Sequence, residues 1–514
     1  MLKQPSPPEA ARLDKALDAV RERLSTIHWQ VSSEEVGTVV RTGDGVAYLR
    51  GLASIRYGEL LEGENGLSGL AFDLWPKEVG VLFLDPADQL SAGDTLHATG
   101  RVASVAVGAE LLGRVVDALG RPLDGAGPIR AEATWPMERE APGVVDRMPV
   151  HEPLLTGTKV IDALFPLGRG QRELILGDRA TGKTALAIDA ILAQRDSPVV
   201  CVYAAIGQRR AAMVDIVETL RSHDALARTV VVVADADSSP GLQYLAPYAA
   251  CTIGEYLMGQ GRHVLIVYDD LTKHADAYRR IALLFGRPPG REAYPADVFY
   301  LHARLLERAT RLHDRLGGGS LTALPIAETQ AGNIAAYVPT NLISITDGQI
   351  YLNTRLFNEG VRPAIDIGLS VSRVGGKAQP PILRSLAGDL RLTYAQAQEL
   401  ELFTRFGAAL EPEARARLEH GRRIREAFKQ PRLAPLGLAQ QAAVLQALSD
   451  HTLDALPTEQ VGSFLAALLK RMDQTETDLS AILALGEDVS SDTRSRLHQV
   501  IAAVSSSSAH GTAP

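Results

Sequence analysis

The rhythm of hydrophobic and polar positions changes several times along the chain, and each change predicts a different kind of structure. Leu13, Leu17, Val20 and Leu24 recur at helical spacing, which predicts a short amphipathic helix behind a loose arm, together spanning 1–28. Over 29–97 short alternating runs such as Val36–Arg41, Val46–Arg50 and Val79–Leu84 are separated by turn residues, among them Thr42-Gly43-Asp44-Gly45. That texture predicts a small β-barrel or sandwich. Over 98–382 brief β-branched runs (Glu173–Leu176, Val199–Tyr203, Thr229–Val233, His263–Tyr268) alternate with helical stretches such as Thr184–Gln194 and Arg209–Leu220. Strands with no polar alternation are buried on both faces, so a parallel sheet covered by helices is expected there. Over 383–504 the chain turns to Ala, Leu, Glu, Gln and Arg with helical periodicity, which predicts a helical bundle broken near Gln430-Pro431. The polar residues 505–514 read as a disordered tail. The fold class is thus a multidomain α/β protein.

Composition narrows the function classes. With 46% hydrophobic and 22% charged residues the 514-residue chain has globular usage, and roughly three domains are expected from its length. The formal charge of -8 disfavours a general nucleic-acid binder. Cys201 and Cys251 form no disulfide framework or zinc spacing, and the twelve histidines suggest no ligand cluster. No apolar run approaches the roughly 18 residues of a membrane span, and the mixed charges of residues 1–23 suit neither a signal nor a transit peptide.

One stretch carries chemistry. Gly177-Asp178-Arg179-Ala180-Thr181-Gly182-Lys183-Thr184 fits the phosphate-binding pattern G-x-x-x-x-G-K-[ST] and lies between an expected strand and an expected helix. Its backbone N–H groups and the helix N-terminus favour phosphate oxygens, Lys183 reaches the terminal phosphates, and the Thr184 hydroxyl is suited to Mg²⁺. A second acid is needed beside it for the metal. The apolar run from His263 ends in Asp269-Asp270; Asp269 is the choice and Asp270 the alternative. Asp235-Ala236-Asp237 imitates a metal motif but lacks further ligands at EF-hand spacing.

The same residues, with longer blocks around them, resemble the α-subunit family of F-type (two-sector) ATP synthases. Gly168–Leu174 leads into the phosphate loop, Arg287–Arg308 and Gly319–Leu352 are similar almost throughout, and Pro363–Ser372 matches a signature of the family. The resemblance runs from about 30 to 505. It implies an N-terminal β-barrel, a RecA-like nucleotide domain and a C-terminal helical bundle. It also implies bound ATP or ADP with Mg²⁺, and a ring of three α and three β chains around a central γ shaft. A δ/peripheral stalk would meet the N-terminal helix, and the membrane would be reached only through the Fo sector. The implied location is peripheral, at the cytoplasmic face of a bacterial inner membrane.

Two positions imply the non-catalytic member of the ring. Catalytic β chains of the family carry glutamate where this chain has Gln208, and a neutral amide cannot act as an anionic base. Arg373, after Ser-Val-Ser, matches the family's arginine finger, which acts on the neighbouring β chain and can be worth about 10³–10⁵ in rate in related phosphoryl transfers. By the same resemblance Arg362, Pro363, Gln430 and Arg432 surround the base. Departures from the family pattern include Ala180, Ala185, Asn333 and Arg432 itself, where glutamine, serine, aspartate and glutamine are usual; they suggest a divergent paralogue. Whether H⁺ or Na⁺ is carried is not written in this chain. The competing reading is a self-sufficient RecA-like hexameric motor, either a type III secretion ATPase or an RNA helicase. Gln208 weighs against it.

Overall fold

A computed structural model of the chain describes residues 35–86, 90–405 and 411–510. The short helix expected within 1–28 lies outside them. The first described unit is a closed barrel of β1 (Val36–Gly43), β2 (Val46–Arg50), β3 (Glu59–Gly63), β4 (Ser68–Leu74), β5 (Val79–Phe83) and β6 (Thr95–Val102), in the order β1-β2-β5-β4-β3-β6. Alternation places Val39, Ala47, Leu49, Leu61, Val81, Phe83 and Leu96 in its interior. The barrel runs past 97, because β6 continues to Val102 to pair with β3 at Glu59.

Two small two-stranded pairs follow, β7 (Ser104–Val107) with β9 (Ala133–Pro136) and β10 (Pro153–Leu154) with β11 (Leu167–Gly168). The central sheet takes β8 (Val115–Asp117), β12 (Leu174–Asp178), β13 (Val200–Gln208), β14 (Thr229–Asp235), β15 (His263–Asp269), β16 (Ser320–Thr329), β17 (Gly348–Leu352) and β18 (Val371–Ser372). Their order is β18-β17-β12-β16-β15-β13-β14-β8, parallel throughout except for the antiparallel edge β18. Strand β13 shows why these runs lack polar alternation. Cys201, Tyr203 and Ala205 face one apolar core, while Val200, Val202, Ala204 and Ile206 face the other. The first core continues into the C-terminal helices, so sheet and bundle share one interior.

The helical domain comprises Pro381–Ala387, Leu390–Arg405, Pro412–Phe428, Leu438–Ser449, Thr458–Gln474, Thr477–Ala484 and Ser491–His510. The break at Gln430-Pro431 is a loop, as its proline requires. The last helix extends to His510, so most of the stretch expected as a disordered tail is helical backbone; its alanine and serine content tolerates a helix once Val500, Ile501 and Val504 anchor the preceding turns. Among the described residues no helix is long and apolar enough to cross a membrane.

Candidate nucleotide site

The phosphate loop sits where the parallel sheet ends. Strand β12 delivers Gly177 and Asp178, and the helix Lys183–Leu192 starts immediately beyond Gly182. Gly177 is dictated by close approach: a Cβ there would stand 2.7 Å from the Leu352 carbonyl oxygen and 2.9 Å from Thr181 Oγ1. Gly182 holds φ at +103°, a left-handed value that glycine adopts without strain. Ala180 adopts φ +63° and Arg179 is exposed. Thr181 donates from Oγ1 to the Asp178 carbonyl at 2.8 Å.

Asp178 fastens the loop to its neighbours. Its Oδ1 accepts from Thr329 Oγ1 at 2.5 Å and the Gly332 N–H at 2.9 Å, and its Oδ2 accepts from Thr354 Oγ1 at 2.9 Å. Partial burial pushes its pKa up, but these three donors overcome it and the carboxyl lies below its ordinary value. Lys183 is buried and donates from Nζ to the carbonyls of Gly177 (2.9 Å) and Asp178 (2.7 Å), with Glu328 Oε1 at 4.0 Å. Burial lowers its pKa, opposed by Glu328, Asp270, Asp269 and Asp178.

At the end of β15 the Asp269 carboxylate collects three donors, one from the helix after the phosphate loop and two from β13. Oδ2 accepts from Thr184 Oγ1 and from the Tyr203 hydroxyl, each at 2.7 Å, and Oδ1 accepts from Gln208 Nε2 at 2.8 Å. Burial still raises its pKa, against the pull of Tyr203, Thr184 and Lys183. Asp270 behaves differently. It caps the helix Leu271–Leu284 through the Lys273 N–H at 2.7 Å, and burial beside Asp269 pushes its pKa up to about 8. Of the two acids, Asp269 meets Thr184 and Asp270 serves the helix instead.

A cavity of about 600 Å³ opens over the loop, lined by Ala180, Thr181 and Gly182 at one end and by Arg362, Pro363, Gln430, Pro431 and Arg432 at the other. That size lies within the usual range for small-molecule sites. Gln430 is nearly buried and braces this end: its Nε2 donates to the carbonyls of Gly157 and Ala434, both at 2.8 Å, and its Oε1 accepts from the Lys159 N–H at 3.1 Å. The Arg362 guanidinium lies 4.8 Å from the Phe357 ring centroid. Asp189, also lining the cavity, accepts from the Leu433 N–H at 2.7 Å; burial raises its pKa to about 6, opposed by that bond and by the Arg432 charge.

Arg373 stands apart from this cavity. It follows edge strand β18 and is exposed; its N–H donates to the Asp347 carbonyl at 2.9 Å and its Nη2 to the Ile343 carbonyl at 3.3 Å. Beneath it Asp347 takes a forked pair of bonds from Arg172 Nε and Nη2, at 3.0 and 2.8 Å. The Asp235 decoy is a structural acid. It pairs with Arg210 at 2.5 Å and accepts from Ser238 Oγ at 2.8 Å.

Sequence reading missed Tyr203, Glu328 and Asp189. Tyr203 lies five residues before Gln208 on the same strand, but only the pairing of β13 with β15, Ala205 opposite Asp269, brings its hydroxyl to that carboxylate.

Comparison with known proteins gives the same division of the chain. The nucleotide-binding domain of the ATP synthase alpha/beta family matches residues 157–372, its β-barrel domain 32–100, and its C-terminal domain 379–504. The chain belongs to the ATP synthase alpha/beta family. Alpha chains of that family are similar to it over most of its length. It is 56% identical to ATP synthase subunit alpha 2 of Albidiferax ferrireducens over 87% of this chain and 84% of the relative. It is 51% identical to ATP synthase subunit alpha 2 of Syntrophus aciditrophicus, covering 94% and 92%, and 51% identical to ATP synthase subunit alpha of Aquifex aeolicus, covering 91% and 93%. The phosphate loop therefore lies in the family's nucleotide-binding domain, and the cavity above it is closed by Gln430, Pro431 and Arg432 of the C-terminal domain; the chain is of the alpha type, a component of an ATPase complex.

Proposed function

We propose that this chain is the regulatory, non-catalytic alpha subunit of the F1 sector of a rotary ATP synthase, holding Mg-ATP without turning it over and lending Arg373 to a beta neighbour. The observation that carries the reading is the setting of Asp269. A hydrolytic site would need an anionic base near this acid, yet the group at 2.8 Å is the Gln208 amide, which donates a hydrogen bond and takes no proton at neutral pH.

The residues present fit the nucleotide and its metal. Thr184 Oγ1 and Asp269 Oδ2 offer adjacent hard oxygens of the kind Mg²⁺ takes directly or through water. When bound, the metal neutralises phosphate charge. Lys183 would exchange its two loop carbonyls for phosphate oxygens, and the N–H groups of 179–184 would face the same charge. Arg362, Pro363, Gln430 and Arg432 would flank the base. Tyr203 and Gln208 hold Asp269 oriented, and Gln208 would offer a water near the terminal phosphate an amide where the catalytic chains offer a carboxylate.

Arg373 completes the reading in trans. The reading is supported by an exposed guanidinium on a sheet edge, absent from the lining of its own chain's cavity; in an adjacent subunit its donors would meet charge building on phosphate oxygens. Assembly with beta chains, a γ shaft and a δ/peripheral stalk, at the cytoplasmic face of a bacterial inner membrane, belongs to this proposal, as does coupling to H⁺ or Na⁺ movement through Fo.

Labelled ATP tests it on the isolated chain. The expected result is Mg-dependent retention of intact ATP, lost in Lys183→Ala with far-UV circular dichroism unchanged. Rapid multiple turnover by the isolated wild-type chain would instead support a self-sufficient motor.

A further inference from the structure

No histidine cluster is legible in the sequence, but the fold makes one. His420 lies on the helix Pro412–Phe428, and the chain returns past it at His451 and the short 3₁₀ turn Thr452–Ala455, which carries Asp454. The Asp454 carboxylate sits between two imidazoles, with Oδ1 2.7 Å from His420 Nδ1 and Oδ2 2.8 Å from His451 Nδ1. The two rings stand 4.6 Å apart, tilted by 38°. One ligand atom from each of the three residues lies within 4.8 Å of the others.

We propose that His420, His451 and Asp454 form a binding site for a borderline transition-metal cation of the Zn²⁺ class. Two imidazole nitrogens and one carboxylate oxygen are a donor set that such cations take readily, whereas Mg²⁺ and Ca²⁺ prefer all-oxygen shells. Donor atoms around tetrahedral zinc stand roughly 3.3–3.5 Å apart, given bonds of about 2.0–2.2 Å. Closing the trio on an ion therefore takes shifts of about 1–1.5 Å in the donor atoms. Solvent reaches the site through His451, whose side chain is 66% exposed, while His420 is fixed in the bundle at 11%. Water would fill the remaining coordination position.

His451 is itself notable because it holds φ +56°, a left-handed value uncommon for a residue with a Cβ. Glycine would fit that backbone better, so the imidazole is present despite the conformation. A metal here would pin the helix Pro412–Phe428, which leads directly into Gln430 and Arg432 at the base end of the cavity, to the turn that follows Leu438–Ser449. The seam already carries one such tie, from Arg423 Nε to the Leu456 carbonyl at 2.9 Å. The cysteines do not compete. Both are buried, and burial pushes the thiol of Cys201 up to about 12 and that of Cys251 up to about 11.

The test uses the full chain without a polyhistidine tag, nucleotide-free and in excess Mg²⁺, so that the phosphate loop does not take the probe. Zn²⁺ is measured by equilibrium dialysis, and Co²⁺ by its visible absorption. The expected result is one ion per chain, with Co²⁺ bands of a four- or five-coordinate nitrogen-containing site. His451→Gly, which relieves the backbone while removing a ligand, should weaken binding by at least ~10–100-fold, the range that even outer partners of metal ligands carry. Asp454→Asn should do the same, and His498→Ala, which alters a neighbouring imidazole outside the trio, should not. Equal Zn²⁺ and Co²⁺ binding by wild type and His451→Gly, or a Co²⁺ spectrum no different from the hydrated ion, would overturn the site and leave a hydrogen-bonded cluster only.

Discussion

Asp269 and Asp162 show how one residue type is put to opposite uses by its surroundings. Asp269 meets three side-chain donors beside the phosphate loop, while Asp162 is sealed between the nucleotide domain and the bundle. Asp162 accepts from Thr156 N–H and Oγ1, the Gly157 N–H and Gln441 Nε2, at 2.7–2.9 Å. Burial nevertheless outweighs those bonds and raises its pKa from 3.8 to about 6. The folded state therefore binds this proton more tightly than the unfolded chain. Its stabilising contribution is complete below about pH 4 and is lost as pH rises through about 6, a fall of roughly 3 kcal/mol at about 1.4 kcal/mol per unit. Urea unfolding between pH 4 and 7 should include this slope, and Asp162→Asn should lessen it by that share while Asp189 and Asp270 keep theirs, whatever the variant's absolute stability. At this scale the sequence yields Lys183, Thr184, Asp269 and Gln208 because each ends or begins a recognisable element. It hides Tyr203 and Glu328, whose roles come from strands that are neighbours in the sheet and distant in the chain.

At the scale of elements, the long buried helix Pro240–Gly259 is joined to the segment after the helix Val298–Leu306 by a charge pair with almost no access to water. Arg308 donates from Nε and Nη2 to the two carboxylate oxygens of Glu255 at 2.9 and 2.6 Å, from Nη1 to the Met137 carbonyl at 2.7 Å, and from Nη2 to Thr252 Oγ1 at 2.8 Å. Four of its five N–H groups being directed at fixed acceptors explains why an arginine survives there at 1% exposure. Arg308→Met should cost about 3–5 kcal/mol, because it leaves the buried Glu255 carboxylate with only the more exposed Arg139, at 3.5 Å. The double variant Arg308→Met with Glu255→Leu should recover much of the loss, and denaturant unfolding of the single and double variants reads the difference. Element boundaries follow the same logic of partners. Strand β6 runs on to Val102 because β3 is there to pair with it, and the terminal helix reaches His510 because its earlier turns are anchored in the bundle. Neither partner is visible from local composition.

At the scale of the whole molecule, the sheet order places the two distinctive sites on different sides of one domain. Phosphate-loop strand β12 lies inside the sheet, and the cavity closes over it with loops from the bundle; Arg373 follows β18 at the open edge. On the proposed reading, the cavity serves this chain's own nucleotide and the exposed Arg373 guanidinium serves a neighbour's substrate. The measurement that tests this most directly is steady-state ATPase of the complex reassembled with its beta partner, comparing wild type with Arg373→Ala, with nucleotide bound to this chain quantified in the same samples. The account predicts multisite turnover lowered by about 10³-fold or more, with this chain's Mg-nucleotide content unchanged. Near-normal ATPase in Arg373→Ala, or a parallel loss of nucleotide from this chain, would contradict it.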